Sequence, residues 1–207
     1  MALIKTLIPP QNFELIRDQI GAILKLEIEN QGQLNPDKKL SDIVCNTKIF
    51  QDRSVPIGKE ELFIVDVVYF STQFENQSAT HQDGENIFYL DVYARGFETD
   101  EHPGDTEAAI GCQRLCGIIR AILQDPQYIL LGFDPRFIKR TRVTNILRNQ
   151  YDPVEGSSNT ILYRVVFQVD AGESTPGIVP TFKPTTLQTI VTINETPQGH
   201  EYLVNNP

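Results

Sequence analysis

The chain has no tryptophan, one methionine, three cysteines and three histidines among its 207 residues. Three cysteines, Cys45, Cys112 and Cys116, are too few and odd in number for a disulfide framework, and they point to a reducing compartment. The histidines His81, His102 and His200 sit in polar stretches, none at ligand spacing from another, so no metal site and no cofactor is expected from them. Cys112 and Cys116 are four apart on a predicted helix, but no further Cys or His recurs nearby, and they read as small buried hydrophobes. No apolar run approaches the ~18 residues of a membrane-spanning helix. The opening MALIKTLIPPQNFELIRDQ lacks the continuous apolar core of a secretory signal. A soluble protein, cytosolic when made, is expected. Cations are scarce too. Eighteen Lys and Arg stand against 27 Asp and Glu, a net charge of −9, which excludes nucleic-acid binding through the general surface. An acidic wall still suits a passage through which DNA slides without sticking. Finally, the chain holds no G-x-S-x-G, no H-E-x-x-H, no P-loop and no dinucleotide-binding glycine fingerprint.

What is present is an ordinary globular composition, 40% apolar and 22% charged. Pro9 and Pro10 precede a helical stripe of Phe13, Ile16, Ile20, Ile23 and Leu24 that fades near Asn30, with Asn12 placed as a cap. A weak strand is expected at 44–50. A strong one follows at 62–70 (LFIVDVVYF), whose continuous apolarity suggests cover on both faces. The polar FENQSATHQDGE reads as a long connection to a second strong strand, 87–95 (IFYLDVYAR), giving an antiparallel hairpin. Beyond an acidic loop, Ala108, Cys112, Leu115, Ile119 and Ile122 repeat at helical spacing. Asp105 or Thr106 is placed to cap that helix, and Pro126 limits it. Two more strands are expected at 137–148 and 161–169. From 171 onward the chain holds five of the thirteen prolines and two short β-prone runs, 187–193 and 202–204. It lacks the apolar material for a core of its own and reads as an extended arm that crosses the domain or adds a strand to a neighbour. The expected architecture is α+β: a mostly antiparallel sheet of four to five strands with two main helices packed on one face over residues 1–170, plus an extended C-terminal arm, 171–207.

Chemistry is confined to two carboxylates. Asp66 and Asp91 lie within otherwise apolar strands and approach each other if those strands pair. That arrangement suits acid/base or metal-dependent hydrolysis. It equally suits a structural pairing with arginine, and no His or Lys lies at a matching strand position. Charge segregation is more informative. From Asp52 to Glu107 there are thirteen acidic and three basic residues. From Arg136 to Arg148 there are five basic residues (Arg136, Lys139, Arg140, Arg142 and Arg148) and no acid. Opposed blocks of this kind suit head-to-tail contacts between copies, with the basic strand of one subunit as an interface.

The order of elements carries a resemblance. A helix leads into the strand LFIVDVVYF, the strand IFYLDVYARGF, the helix TEAAIGCQRLCGIIRAIL, a basic strand and the final strand ILYRVVFQV. Over about residues 10–170 this resembles the tail terminator proteins of long-tailed bacteriophages and related neck or tail-completion subunits. The resemblance implies a hexameric ring that caps the tail tube, contacts tube or sheath and neck or connector proteins, and passes DNA through its lumen without specific binding. It implies residence in the virion, with assembly in the host cytoplasm, and no membrane. It brings no catalytic residues, and the C-terminal arm is an addition to it. A different neck, tail-tube or baseplate subunit is the alternative within the same class.

Overall fold

The computed structural model describes residues 10–34, 43–44, 46–53, 61–75, 81–98, 102–149 and 160–174, and the backbone at 192–196 and 199–203. Helix α1 (Asn12–Leu34) buries Ile16, Ile20, Ile23 and Leu24 of the predicted stripe, leaves Phe13 partly buried, and extends the stripe to Ile28. It runs past the point where that stripe fades. Asn12 is not its cap. Gln11 holds that position, its carbonyl accepting from the N–H groups of Glu14 and Leu15 at 3.0 and 3.2 Å. The Glu14 carboxylate returns to accept from the Gln11 N–H at 2.6 Å, the reciprocal half of a capping box. The Asn12 amide instead donates to the Gly172 carbonyl at 2.9 Å, on the far side of the domain in sequence.

Five strands make one sheet: β1 (Thr47–Gln51), β2 (Phe63–Glu75), β3 (His81–Arg95), β4 (Ile138–Asn149) and β5 (Thr160–Ser174). Their spatial order is β1-β2-β3-β5-β4. β1 runs parallel to β2 and every other neighbouring pair is antiparallel. Most of the polar stretch expected to be a connection is strand. Thr72 to Glu75 pair with Asn86 to Asp83, so β2 and β3 are joined across residues 76–80 alone. Backbone ladder bonds need no apolar side chain, which is why the pattern there gives no sign of them. β5 likewise continues through residue 170 to Ser174.

Helix α2 (Gly104–Leu123) lies beside α1 on one face of the sheet. Its Ala108, Cys112, Leu115, Ile119 and Ile122 pack against Val92, Ala94, Val165 and Phe167 in the core. The expected Asp105 or Thr106 cap is absent. Pro103 occupies the N-cap with no side-chain bond, while Asp105 and Glu107 add favourable charge to the first turn. A short 3-10 turn at Pro126–Tyr128 leads to β4. Of the arm, the described strands β6 (Thr192–Thr196) and β7 (Gly199–Leu203) pair as an antiparallel hairpin. The expected run 187–193 falls mostly outside the described residues, as does Cys45.

Both described cysteines are core residues. The Cys112 thiol donates to the carbonyls of Val92 and Ile161, at 3.3 and 3.5 Å. Burial pushes both thiols up, Cys116 to about 12. Neither forms the thiolate that reacts at neutral pH. In a Cys45→Ser background, Ellman's reagent is therefore expected to label no thiol of the folded protein and both after denaturation. Rapid labelling of the native protein would contradict this burial.

Candidate assembly interface

The sheet face opposite the helices is built from alternate residues of the same strands. Cross-strand register sets Phe50, Asp66, Asp91 and Arg164 in one row across β1, β2, β3 and β5. The two aspartates thus stand directly opposite each other, as their strand positions allow. Each is already engaged. The Arg164 guanidinium donates to both oxygens of Asp91 at 2.6 and 2.7 Å and lies over the Tyr89 ring, 4.1 Å from its centroid. The Arg53 backbone N–H lies 3.1 Å from both oxygens of Asp66. The Arg53 guanidinium pairs with Glu61 and covers the Phe50 ring. Both carboxylates are buried. Among the described residues no group of three or more His, Cys, Asp or Glu is placed to hold a metal ion. Asp91 thus anchors Arg164, with one bond from the guanidinium to each of its oxygens.

Burial raises the pKa of Asp66 most. The Arg53 N–H pulls it back in part, and the charges of Asp52 and Asp91 raise it further. The folded protein therefore binds this proton at higher pH than the unfolded chain. Ionisation of Asp66 costs stability above that range, and the cost disappears as pH falls through the raised pKa. Asp66→Asn, which keeps an oxygen for the Arg53 N–H, is expected to raise Tm at pH 7, with a gain that shrinks on acidification. Calorimetry across pH 4–8 checks the sign. A lower Tm at pH 7 would show that the ionised carboxylate is favourable. Mg²⁺ or Mn²⁺ is expected to leave Tm of the unsubstituted protein unchanged, whereas a hydrolytic metal site would raise it.

The five cations expected at an interface are gathered on or just before β4. Four bond within the chain. Arg136 forks onto Asp134, Lys139 meets Asp83 at 2.5 Å, Arg140 meets Asp170 at 3.0 Å, and Arg142 donates to Gln168 at 3.0 Å. Arg148 alone makes no ion pair or side-chain bond among the described residues, and it is exposed. Part of the basic block is thus balanced by acids on β3 and β5, a pairing that charge counts along the chain do not disclose. Arg140→Glu would set a glutamate against Asp170, so Arg148 is the cleaner probe of this surface.

β4 is an edge strand, with β5 on one side and no strand on the other among the described residues. Its first half is anchored: Ile138 is fully buried and the Thr141 hydroxyl donates to the Ile129 carbonyl at 2.8 Å. Its second half is bare. Residues 144–148 are all exposed, including Ile146 (38%) and Leu147 (42%), which point to opposite faces. Neither apolar residue was singled out by periodicity, since an edge strand uncovered on both faces looks in sequence like a covered one. The other edge, β1, borders a shallow cleft of about 320 Å³ lined by Lys25, Glu29, Lys48 and Phe50. That cleft has one carboxylate, and the Thr47 hydroxyl on its wall donates to the Ile43 carbonyl at 2.7 Å. No model of a known protein family and no characterised protein matches this chain.

Proposed function

We propose that this protein is a structural subunit of a bacteriophage tail, a terminator that forms a ring, caps the tail tube and joins it to the neck. The observation that carries this reading is the second half of β4. An edge with no partner strand among the described residues and bare on both faces, with two large apolar side chains beside Arg142 and Arg148, resembles the apolar core and charged rim of a protein contact more than a solvated strand. The order of elements supports it, as does the structural engagement of Asp66 and Asp91. The ring is hexameric in this reading, and its partners are the tube or sheath and the neck or connector. The net charge of −9 suits a lumen that repels the DNA backbone and lets it pass.

Light scattering coupled to size-exclusion chromatography of the full chain, alone and mixed with tail-tube protein, tests the reading. A discrete closed oligomer in either sample is the expected result. A strict monomer in both, at high concentration, would overturn it. Localisation in virion images separates a terminator from another neck, tube or baseplate position.

A further inference from the structure

The exposed half of β4 has a counterpart elsewhere on the same chain. Where β3 ends and α2 begins, Phe97 is 59% exposed and Glu98 is exposed beside it. Asp105, in the first turn of α2, is exposed as well, and Ile110 in the second turn is 46% exposed. Gly96 packs so tightly against the start of α2 that a Cβ there would lie 1.9 Å from the Gly104 carbonyl oxygen. Glu98 makes no ion pair among the described residues. The β4 edge therefore carries apolar side chains and cations on its two faces (Ile146 and Arg148, Leu147 and Arg142), and the β3–α2 corner carries apolar side chains and acids (Phe97, Ile110, Glu98, Asp105).

We infer that these two patches are the halves of one contact, the β4 edge of one copy seating on the β3–α2 corner of the next. The inference rests on the self-assembly proposed above and specifies its surface. Opposite charges over apolar centres steer the encounter and set its orientation, and burial of the exposed Phe, Ile and Leu side chains supplies the affinity. The contact joins unlike surfaces, so it repeats from copy to copy and closes into a ring when the rotation between neighbours permits. Joining β4 to the other sheet edge is the poorer alternative. At β1, Lys48 is paired with Glu61 and the cleft beside it holds Lys25 with Glu29, so the cations of β4 would meet no net acidic surface there.

Reciprocal charge reversal tests this on the full chain. One variant carries Arg142→Glu and Arg148→Glu, the other Glu98→Lys and Asp105→Lys. Neither pair lies in the core, and circular dichroism establishes that both fold. Each alone is expected to associate at least tenfold more weakly than the unsubstituted protein. Mixed in equal amounts, they are expected to regain assembly, because each reversed patch then meets a complementary one. Assembly of either variant at the unsubstituted level, or failure of the folded mixture to assemble, would overturn the pairing. If the unsubstituted protein assembles while both variants do so equally well, the pairing alone falls. If it never assembles, with or without tail-tube protein, the proposed function falls with it.

Discussion

Arg164→Met is expected to lower folding stability by about 3 kcal/mol, the low end of what removing one partner of a buried ion pair costs, because this guanidinium is itself partly exposed. The substitution leaves Asp91 buried without its bidentate partner and directly opposite Asp66. It also strips the cation from the Tyr89 ring. Two facing carboxylates relieve their repulsion by binding a proton, so the variant's deficit should shrink on acidification. Adding Asp91→Leu removes the stranded charge, and the double variant is expected to recover most of the loss, since apolar replacement of both partners is often near neutral. Urea unfolding of the two single variants and the double variant measures the coupling directly. A loss under ~1 kcal/mol for Arg164→Met would mean that the row of charged residues contributes little to the fold.

Gly96→Ala is the second large effect. The methyl group would fall 1.9 Å from the Gly104 carbonyl oxygen and 2.6 Å from the Ala108 nitrogen. Both are backbone atoms of a packed helix and cannot swing aside like a flexible side chain. The end of β3 or the first turn of α2 has to move, at a cost of about 3 kcal/mol and a Tm lower by roughly 10 °C. Gly117→Ala is the internal control on the same helix. Nothing lies within 4 Å of its added Cβ. At this exposed position the helix should gain up to ~1 kcal/mol from the better helix former. Thermal melts of both variants would show opposite shifts. Equal destabilisation by the two would mean that helix α2 itself, and not the close approach at Gly96, governs the response.

The α+β architecture was legible because its signals are periodic. The α1 stripe, the α2 stripe and the apolar strands at 62–70, 87–95 and 161–169 all form where spacing places them, with both helices on one face. What escaped were features that side-chain pattern does not encode. The polar halves of β2 and β3 pair through backbone groups alone. Tyr69 keeps the alternation of Val65 and Val67 and stacks on Phe13, but the register shift that follows it, with Phe70 stacked on Tyr89, is written in no periodicity. The helix starts were misassigned because a residue suited to capping was present at each, while Gln11 with Glu14, and Pro103, took the positions. At the candidate interface, the strand and its five cations were readable, but not their partners. Asp83 and Asp170 are distant in sequence from β4 and meet it only through the sheet. The bare flanks of Ile146 and Leu147, and the outward Phe97, depend on what fails to cover them, which no local pattern records.

The bond from the Asn12 amide to the Gly172 carbonyl spans 160 positions. On the ribosome the first turn of α1 is made long before its acceptor exists. At translation rates of ~5–20 residues per second, that interval is roughly 10–30 s. During this time the apolar stripe of α1 has no completed sheet to lie on and is available to chaperones or to unwanted association. A product cut short before Gly172 never makes this bond and leaves the first turn of α1 untied from the end of β5.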